Sequence, residues 1–249
     1  MFLKGKTALV TGGGGGIGWG IAREFALEGA RVIVTDINEV TGKEVLLELN
    51  KISKGHIFVN LDVREINNFP AILKKIGDVD ILINNAGINT PNGVLNMTTD
   101  KWDTVFNTNL KGHFFLSQLI AGYFITKKKK GVILFISSVH QDVVQGTPHY
   151  SSSKAAIKML IKEMAVELAP HNIRVVGIAP GGIHISEKIE NPANALKEKT
   201  VLLGGKNGIP RDIGRAAVFL CSEYWSRHIT GETLVVSGGQ YLDPRILQQ

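Results

Sequence analysis

Thr7-Ala-Leu-Val-Thr-Gly-Gly-Gly-Gly-Gly-Ile-Gly18 begins as an apolar β-type run, breaks into consecutive glycines and leads into a helical pattern. Gly12, Gly16 and Gly18 lack the β-carbons that would block a tight turn and the approach of a pyrophosphate to the helix N-terminus. A glycine-rich loop alone is a weak signal. Here it follows a strand and opens a helix, and Asp36 closes the next apolar run 18 residues after Gly18. A carboxylate at that place accepts hydrogen bonds from the adenosine ribose hydroxyls and repels a 2′-phosphate. No Arg or Lys within residues 12–18, or just after Asp36, offers that phosphate a counter-charge. The expected cofactor is therefore NAD rather than NADP. The bland alternative for Asp36 is a cap on the helix that starts near Asn38. Gly13, Gly14 and Gly15 exceed what such a turn requires.

Outward from this loop, β-rich runs at 7–11, 31–35, 56–60, 80–83, 132–137, 174–179 and 233–236 alternate with helical patterns near 17–28, 39–51, 66–76, 104–126, 151–169 and 211–223. Such alternation predicts an α/β fold, a doubly wound Rossmann-type sheet of seven parallel strands joined by right-handed crossovers and flanked by helices. Residues 1–249 read as a single domain, with no repeat or linker. The irregular stretch 184–208 interrupts the last crossover, and a loop of that length in a compact domain is expected to be a substrate lid.

The 249 residues, 44% hydrophobic, suffice for one full core. The single cysteine, Cys221, rules out an intramolecular disulfide framework and reads as a small core hydrophobe. The first residues lead straight into a strand without the pattern of a signal peptide, and no run of about 18 apolar residues is present, so a cytoplasmic protein with no membrane span is expected. The formal charge of +6 includes Lys127-Lys-Lys-Lys130, placed where a helix C-terminus favours cations. Four lysines fall short of the roughly 6–10 phosphate contacts of a nucleic-acid footprint, so no nucleic-acid partner is expected. The histidines show no metal-ligand spacing, and no metal is expected.

Tyr150-Ser-Ser-Ser-Lys154 adds the chemistry. Four residues of helix advance about 6 Å and return the side chains to one face, so the phenol and the ammonium can act together. A free tyrosine titrates near about 10, and an adjacent ammonium is expected to lower it toward a working acid or base.

With Asp62-Val63, Asn84-Asn-Ala-Gly87, Asn109-Leu-Lys-Gly112, Ile136-Ser-Ser138 and Pro180-Gly-Gly-Ile183, the chain resembles the short-chain dehydrogenase/reductase family over essentially its full length. The resemblance implies that Tyr150 exchanges the proton at the substrate oxygen and that Lys154 holds the nicotinamide ribose and lowers the tyrosine pKa. It implies further that Ser138, rather than Ser137, orients the substrate oxygen and that Asn109 anchors a relay water. Gly12, Gly16, Ile17 and Gly18 would hold the pyrophosphate and Asp36 the ribose. Asp62 and Val63 would meet the adenine, Asn85, Ala86 and Gly87 would line the adenosine side, and the Ile183 backbone would meet the carboxamide. Thr11 and Asn84 read as strand ties. Where the family commonly carries a threonine, this chain has Ile185.

Between Ser138 and Tyr150, the Ser-Ser-Val-His opening and the His149-Tyr150 pair are similar to glucose 1-dehydrogenases. His140, Gln141, Gln145 and His149 supply the donors and acceptors a polyol needs, with helix-capping or surface histidines as the plainer alternative. The expected activity is oxidation of a secondary alcohol or sugar hydroxyl to the ketone or lactone, reversibly. A 3-oxoacyl-[acyl-carrier-protein] reductase is the alternative enzyme, and an NAD-sensing or scaffold protein without turnover the alternative of another class. The resemblance implies a homotetramer with Phe114 and Lys158 at one interface, and the tail 242–249 is expected to reach a neighbouring subunit.

Overall fold

Every apolar run named above forms a strand. In the computed structural model of the chain, which describes residues 1–185, 188 and 191–243, the strands are β1 (Thr7–Thr11), β2 (Arg31–Asp36), β3 (Ile57–Asn60), β4 (Ile81–Asn84), β5 (Gly131–Ile136), β6 (Ile173–Pro180) and β7 (Thr233–Val236). The helices are α1 (Gly16–Leu27), α2 (Glu39–Ile52), α3 (Phe69–Ile76), α4 (Thr99–Phe106), α5 (Gly112–Thr126), α6 (Pro148–Leu168), α7 (Pro210–Cys221) and the short α8 (Glu223–Ser226). All strand pairs are parallel, in the order β3-β2-β1-β4-β5-β6-β7. The chain leaves β3 at one edge and re-enters beside β1, so a crevice opens between the carboxyl ends of β1 and β4.

Successive side chains of a strand face opposite sides, and both sides of this sheet are covered. Ala8 and Val10 pack into a core with Trp19 and Phe25 of α1 and Ile213 of α7. Leu9 points the other way, into a second core with Phe124 of α5 and Ile161 of α6. Cys221 is buried in the first core, as its sequence setting implies.

The helix expected at 104–126 begins earlier. The Thr98 hydroxyl accepts the Lys101 amide and caps α4, and Asn107–Lys111 form a single π turn between α4 and α5. Pro70 lies in the first turn of α3, where its missing N–H breaks no helical bond. Lys129 of the basic run is bound at the protein surface by Asp78 and Asp80, at 2.7 and 3.1 Å.

The loop expected to be a lid leaves and re-enters the fold at one place. The Gly208 amide donates to Gly182, and the His184 amide donates to Gly208. Lys188 reaches Glu48 of α2 at 2.5 Å, and the Leu203 amide bonds Gly238. Residues 186, 187, 189 and 190 of this loop, and the tail from 244 onward, lie outside the described residues. Among the described residues, no helix is long and apolar enough to cross a membrane.

Helices α1 and α7 approach with backbone against backbone. A β-carbon on Gly20 would overlap the Pro210 carbonyl, and one on Gly214 would overlap the Gly20 carbonyl. Gly214→Val is therefore expected to separate the helices and cost about 1–3 kcal/mol, the usual range for overpacking. Calorimetry would register a drop of several degrees in Tm, and an unchanged Tm would show that the contact yields freely.

Candidate active site

The glycine loop is held open by side chains of its neighbours. The Thr11 hydroxyl donates to Ile83 and accepts the amides of Asn85 and Ala86, and the Asn85 side chain donates to Thr11 and Gly12 at 2.9 and 3.0 Å. Gly12 has φ +61°, and a β-carbon there would stand 2.8 Å from the Ala86 Cα. A β-carbon on Gly18 would overlap the Gly12 carbonyl. The extra glycines have a partial explanation as well. A β-carbon on Gly14 would sit 2.8 Å from the Asp36 carboxylate, and one on Gly13 would sit 2.9 Å from Val34, whereas Gly15 meets nothing.

Gly15 is the N-cap of α1 and offers no side chain to the first-turn amides. An uncapped helix N-terminus at the mouth of a crevice suits an anion such as a pyrophosphate. Ile185 packs close to Gly16 at this end, with apolar atoms where a hydroxyl was expected.

A cleft of about 760 Å³ runs across the carboxyl ends of the strands. Its walls include Gly12, Gly16, Ile17, Asp36, Asp62, Val63, Asn85, Ala86, Gly87, Ser138, Tyr150, Lys154 and Ile183. Asp36 accepts the Gly14 amide at 2.9 Å and the Asn38 amide at 2.8 Å. It therefore serves the loop and the start of α2 while facing the cleft, and Asn38 is the side chain that caps α2. The sequence reading missed Arg64, which also lines the cleft and grips the Asp62 carboxylate through Nε and Nη2. This pairing holds the Asp62 carboxyl below its ordinary range and raises the guanidinium. Its signal was the spacing Asp62-x-Arg64, too short to mean anything without the cleft.

Ser138 and Tyr150 both line the cleft, with the Ser138 side chain near enough to draw the phenol's pKa down. Ser137 is instead buried as a tie, donating to the Lys154 carbonyl at 3.2 Å. Lys154 is 3% exposed and donates from Nζ to the Ile136 carbonyl at 2.9 Å, with Nζ 5.5 Å from the Tyr150 ring centre. Asn109 lies in the π turn, fully buried, where its side chain accepts the Ile88 amide and donates to the Ile88 carbonyl and to Ser153. Gly18 lies beneath the loop rather than among the residues lining the cleft.

The two histidines of the expected polyol site part company. His140 stacks edge-on against Tyr150 with 5.2 Å between ring centres. His149 is fully buried and bonded to Thr90 at 2.7 Å, so it braces the loop after β4 rather than lining the cleft. Gln141 is buried too. The buried position of His149 follows from the α6 register: Tyr150 faces the cleft, and its neighbour faces away.

Burial dominates the electrostatics. Desolvation raises the Tyr150 pKa, partly offset by Ser138, and lowers Lys154 to about 8. The expected lowering of the phenol by the ammonium is thus not what this geometry produces: Lys154 is itself stripped of water and turned toward Ile136. A folded-state pKa below the unfolded value of about 10.4 means that the charged lysine costs stability below pH 8. That cost lifts as pH rises through 8 toward 10. Relative to Lys154→Met, the parent protein should gain about 2–3 kcal/mol of unfolding free energy between pH 7 and 10. Denaturant titrations at several pH values would measure this, and parallel profiles would refute it.

The family profile described as short chain dehydrogenase matches residues 6–194. The chain is 35% identical to 3beta-hydroxysteroid dehydrogenase 1 of Eggerthella lenta, over 97% of this chain and 96% of that one. It is 34% identical to 2-dehydro-3-deoxy-D-gluconate 5-dehydrogenase of Dickeya dadantii, over 95% and 96% respectively. A solved 7 alpha-hydroxysteroid dehydrogenase complexed with NADH and 7-oxo glycochenodeoxycholic acid superposes with a TM-score of 0.86 at 36% identity, covering 95% of this chain and 94% of that one. With the sheet order, the glycine loop and the phenol–lysine pair, these matches place the chain in the short-chain dehydrogenase family, as an NAD(P)-dependent oxidoreductase acting on CH–OH donors.

Proposed function

We propose that the protein is an NAD-preferring dehydrogenase of a secondary alcohol, with Tyr150 as its acid/base. The observation that carries this reading is that Ser138, Tyr150 and buried Lys154 line one cleft together with Asp36. NAD, when bound, supplies the hydride acceptor at nicotinamide C4. Ser138 orients the substrate oxygen, and Tyr150 takes the hydroxyl proton as hydride leaves the carbinol carbon. In ketone reduction Tyr150 returns that proton. Lys154 binds the nicotinamide ribose, and the Ile183 backbone meets the carboxamide. The strand bridge at that point uses the Gly182 carbonyl and the His184 amide rather than Ile183's own groups. Asp62 and Val63 receive the adenine, and Asn85, Ala86 and Gly87 form the adenosine wall.

NAD preference is supported by the Asp36 carboxylate, which would stand against a 2′-phosphate, and by the engagement of Arg64 with Asp62. The polar substrate surface narrows to His140 and Gln145, since His149 and Gln141 are buried. A second reading is an apolar skeleton bearing the alcohol. Val94, Leu95, Val144, Leu202 and Leu203 are all exposed on loops that follow the carboxyl ends of β4, β5 and β6.

The discriminating experiment follows NADH absorbance with NAD and NADP against glucose, other polyols, a hydroxysteroid, simple secondary alcohols and a 3-hydroxyacyl thioester. Turnover with NAD is expected and should fall by about a thousandfold or more in Tyr150→Phe, the scale of losing a general acid/base. Asp36→Ser should lower the NAD-to-NADP ratio of kcat/KM at least tenfold, since it removes the charge that repels the 2′-phosphate. Turnover confined to NADP and the thioester would support the acyl reductase instead. NAD binding with no turnover in any arm would support a sensor.

The protein is further proposed to form a homotetramer in the cytoplasm, with α5 and α6 buried between subunits. Met159 and Val166 on α6 are 56% and 79% exposed in the single chain, apolar surface that a partner would cover. Light scattering should return four times the 27.0 kDa chain mass, and a monomer would refute the assembly.

A further inference from the structure

Gln240 joins the 184–208 loop to the chain segment that meets the nicotinamide, a task the reaction leaves unassigned. The returning half of the loop is a small hairpin. Lys197 and Lys206 pair as an antiparallel bridge, the Asn207 amide donates to Leu196, and the Glu198 amide donates to Gly205. The hairpin tip, Thr200 to Leu203, lies on the glycine turn after β7. The Leu203 amide donates to the Gly238 carbonyl, and a β-carbon on Gly238 or Gly239 would stand 2.7 Å from Val201 or 3.3 Å from Leu202. Both glycines have positive φ, +58° and +79°, a bend that glycine takes without strain.

The half-buried Gln240 side chain makes a different bond at each end. Oε1 accepts the Gly182 amide at 2.6 Å, and Nε2 donates to the Thr200 hydroxyl at 3.1 Å. Thr200 has one hydroxyl proton and spends it on Glu198 at 2.9 Å, so its oxygen can only accept from residue 240. That requirement fixes the amide with its nitrogen toward the loop and its oxygen toward Gly182. The Gly182 carbonyl accepts the Gly208 amide, so both backbone groups of Gly182 are bound immediately before Ile183. A β-carbon on Gly181 would stand 2.8 Å from Gln240 Oε1, and one on Gly182 would overlap the Asn207 side chain. The glycine pair of Pro180-Gly-Gly-Ile183 thus leaves room for this contact.

We propose that Gln240 is a positioning residue with two separable tasks. Through Gly182 it sets the Ile183 backbone against the nicotinamide carboxamide, and through Thr200 it seats the loop hairpin for the alcohol. The proposal rests on the dehydrogenase reading. The Gln240 amide exchanges no proton with substrate and acts only through these two partners.

Calorimetry with NADH and with ADP-ribose, which lacks the nicotinamide, tests the first task. Gln240→Leu should weaken NADH about fivefold, the scale of one lost hydrogen bond, and ADP-ribose by less than about twofold. Equal losses for the two ligands, or no loss for either, would overturn the proposal. Should that variant fail to fold, Gln240→Ala, which also lacks the amide, carries the same comparison. Steady-state kinetics on an alcohol that the parent turns over tests the second task. Gln240→Glu keeps an acceptor for Gly182 but has no proton for Thr200. Its ratio of NADH to ADP-ribose affinity should stay parent-like, while KM for the alcohol rises about fivefold with kcat within about twofold. Thr200→Val should reproduce that KM change from the other partner. Parent-like KM in both variants would overturn the loop task. A parent protein that turns over no alcohol is instead a failure of the dehydrogenase reading, kept apart because the ligand comparison needs no turnover.

Discussion

The joint between β1 and β4 is the constraint on which the rest depends. Two side chains make it: the Thr11 hydroxyl, which bonds Ile83, Asn85 and Ala86, and the Asn85 amide, which bonds Thr11 and Gly12. The two strands are 70 residues apart in sequence, from Thr11 to Ile81. Neither could set the height of the glycine loop alone. With the joint made, Gly12 turns with positive φ against Ala86, Gly18 tucks under Gly12, and α1 starts with its amides aimed along the crevice. Every later strand adds a wall to a cleft whose floor these bonds have already placed.

Burial then decides how the catalytic groups behave. Lys154 and Tyr150 share one helix face, and in this geometry desolvation raises the phenol's pKa and lowers the ammonium's. Both shifts favour the neutral forms. The charge state of the pair is therefore poised, open to change by whatever polar or charged group enters the cleft.

What could be read from the sequence and what could not divide along physical lines. Alternating apolar runs and the glycine loop are local signals, and they foretold the parallel seven-stranded sheet and the crevice end at which the site forms. The start of α4 at Thr99 escaped because its stretch up to Phe106 is largely polar and its cap is a single hydroxyl. The π turn at Asn107–Lys111 escaped for another reason: it depends on Asn109 finding Ile88 and Ser153, contacts made across 21 and 44 residues. Gly14 looked superfluous until Asp36 and Thr41 were seen to occupy the space of its missing β-carbon. His149 looked like a ligand for substrate because type and spacing say nothing about which side of α6 faces inward. Arg64 was passed over because its partner and its position on the cleft are both tertiary.

The loop from His184 to Gly208 begins and ends at one bridge beside Ile183, and α7 follows at once with Pro210 pressed onto Gly20. Its two ends are thus clamped to β6 and α1, whatever residues lie between. An insertion, a deletion or a wholly different sequence in that span would leave the cofactor cradle in register. Such a cassette lets new specificities be tried by exchange of one segment, in natural divergence or in the laboratory, while the hydride-transfer apparatus is inherited intact.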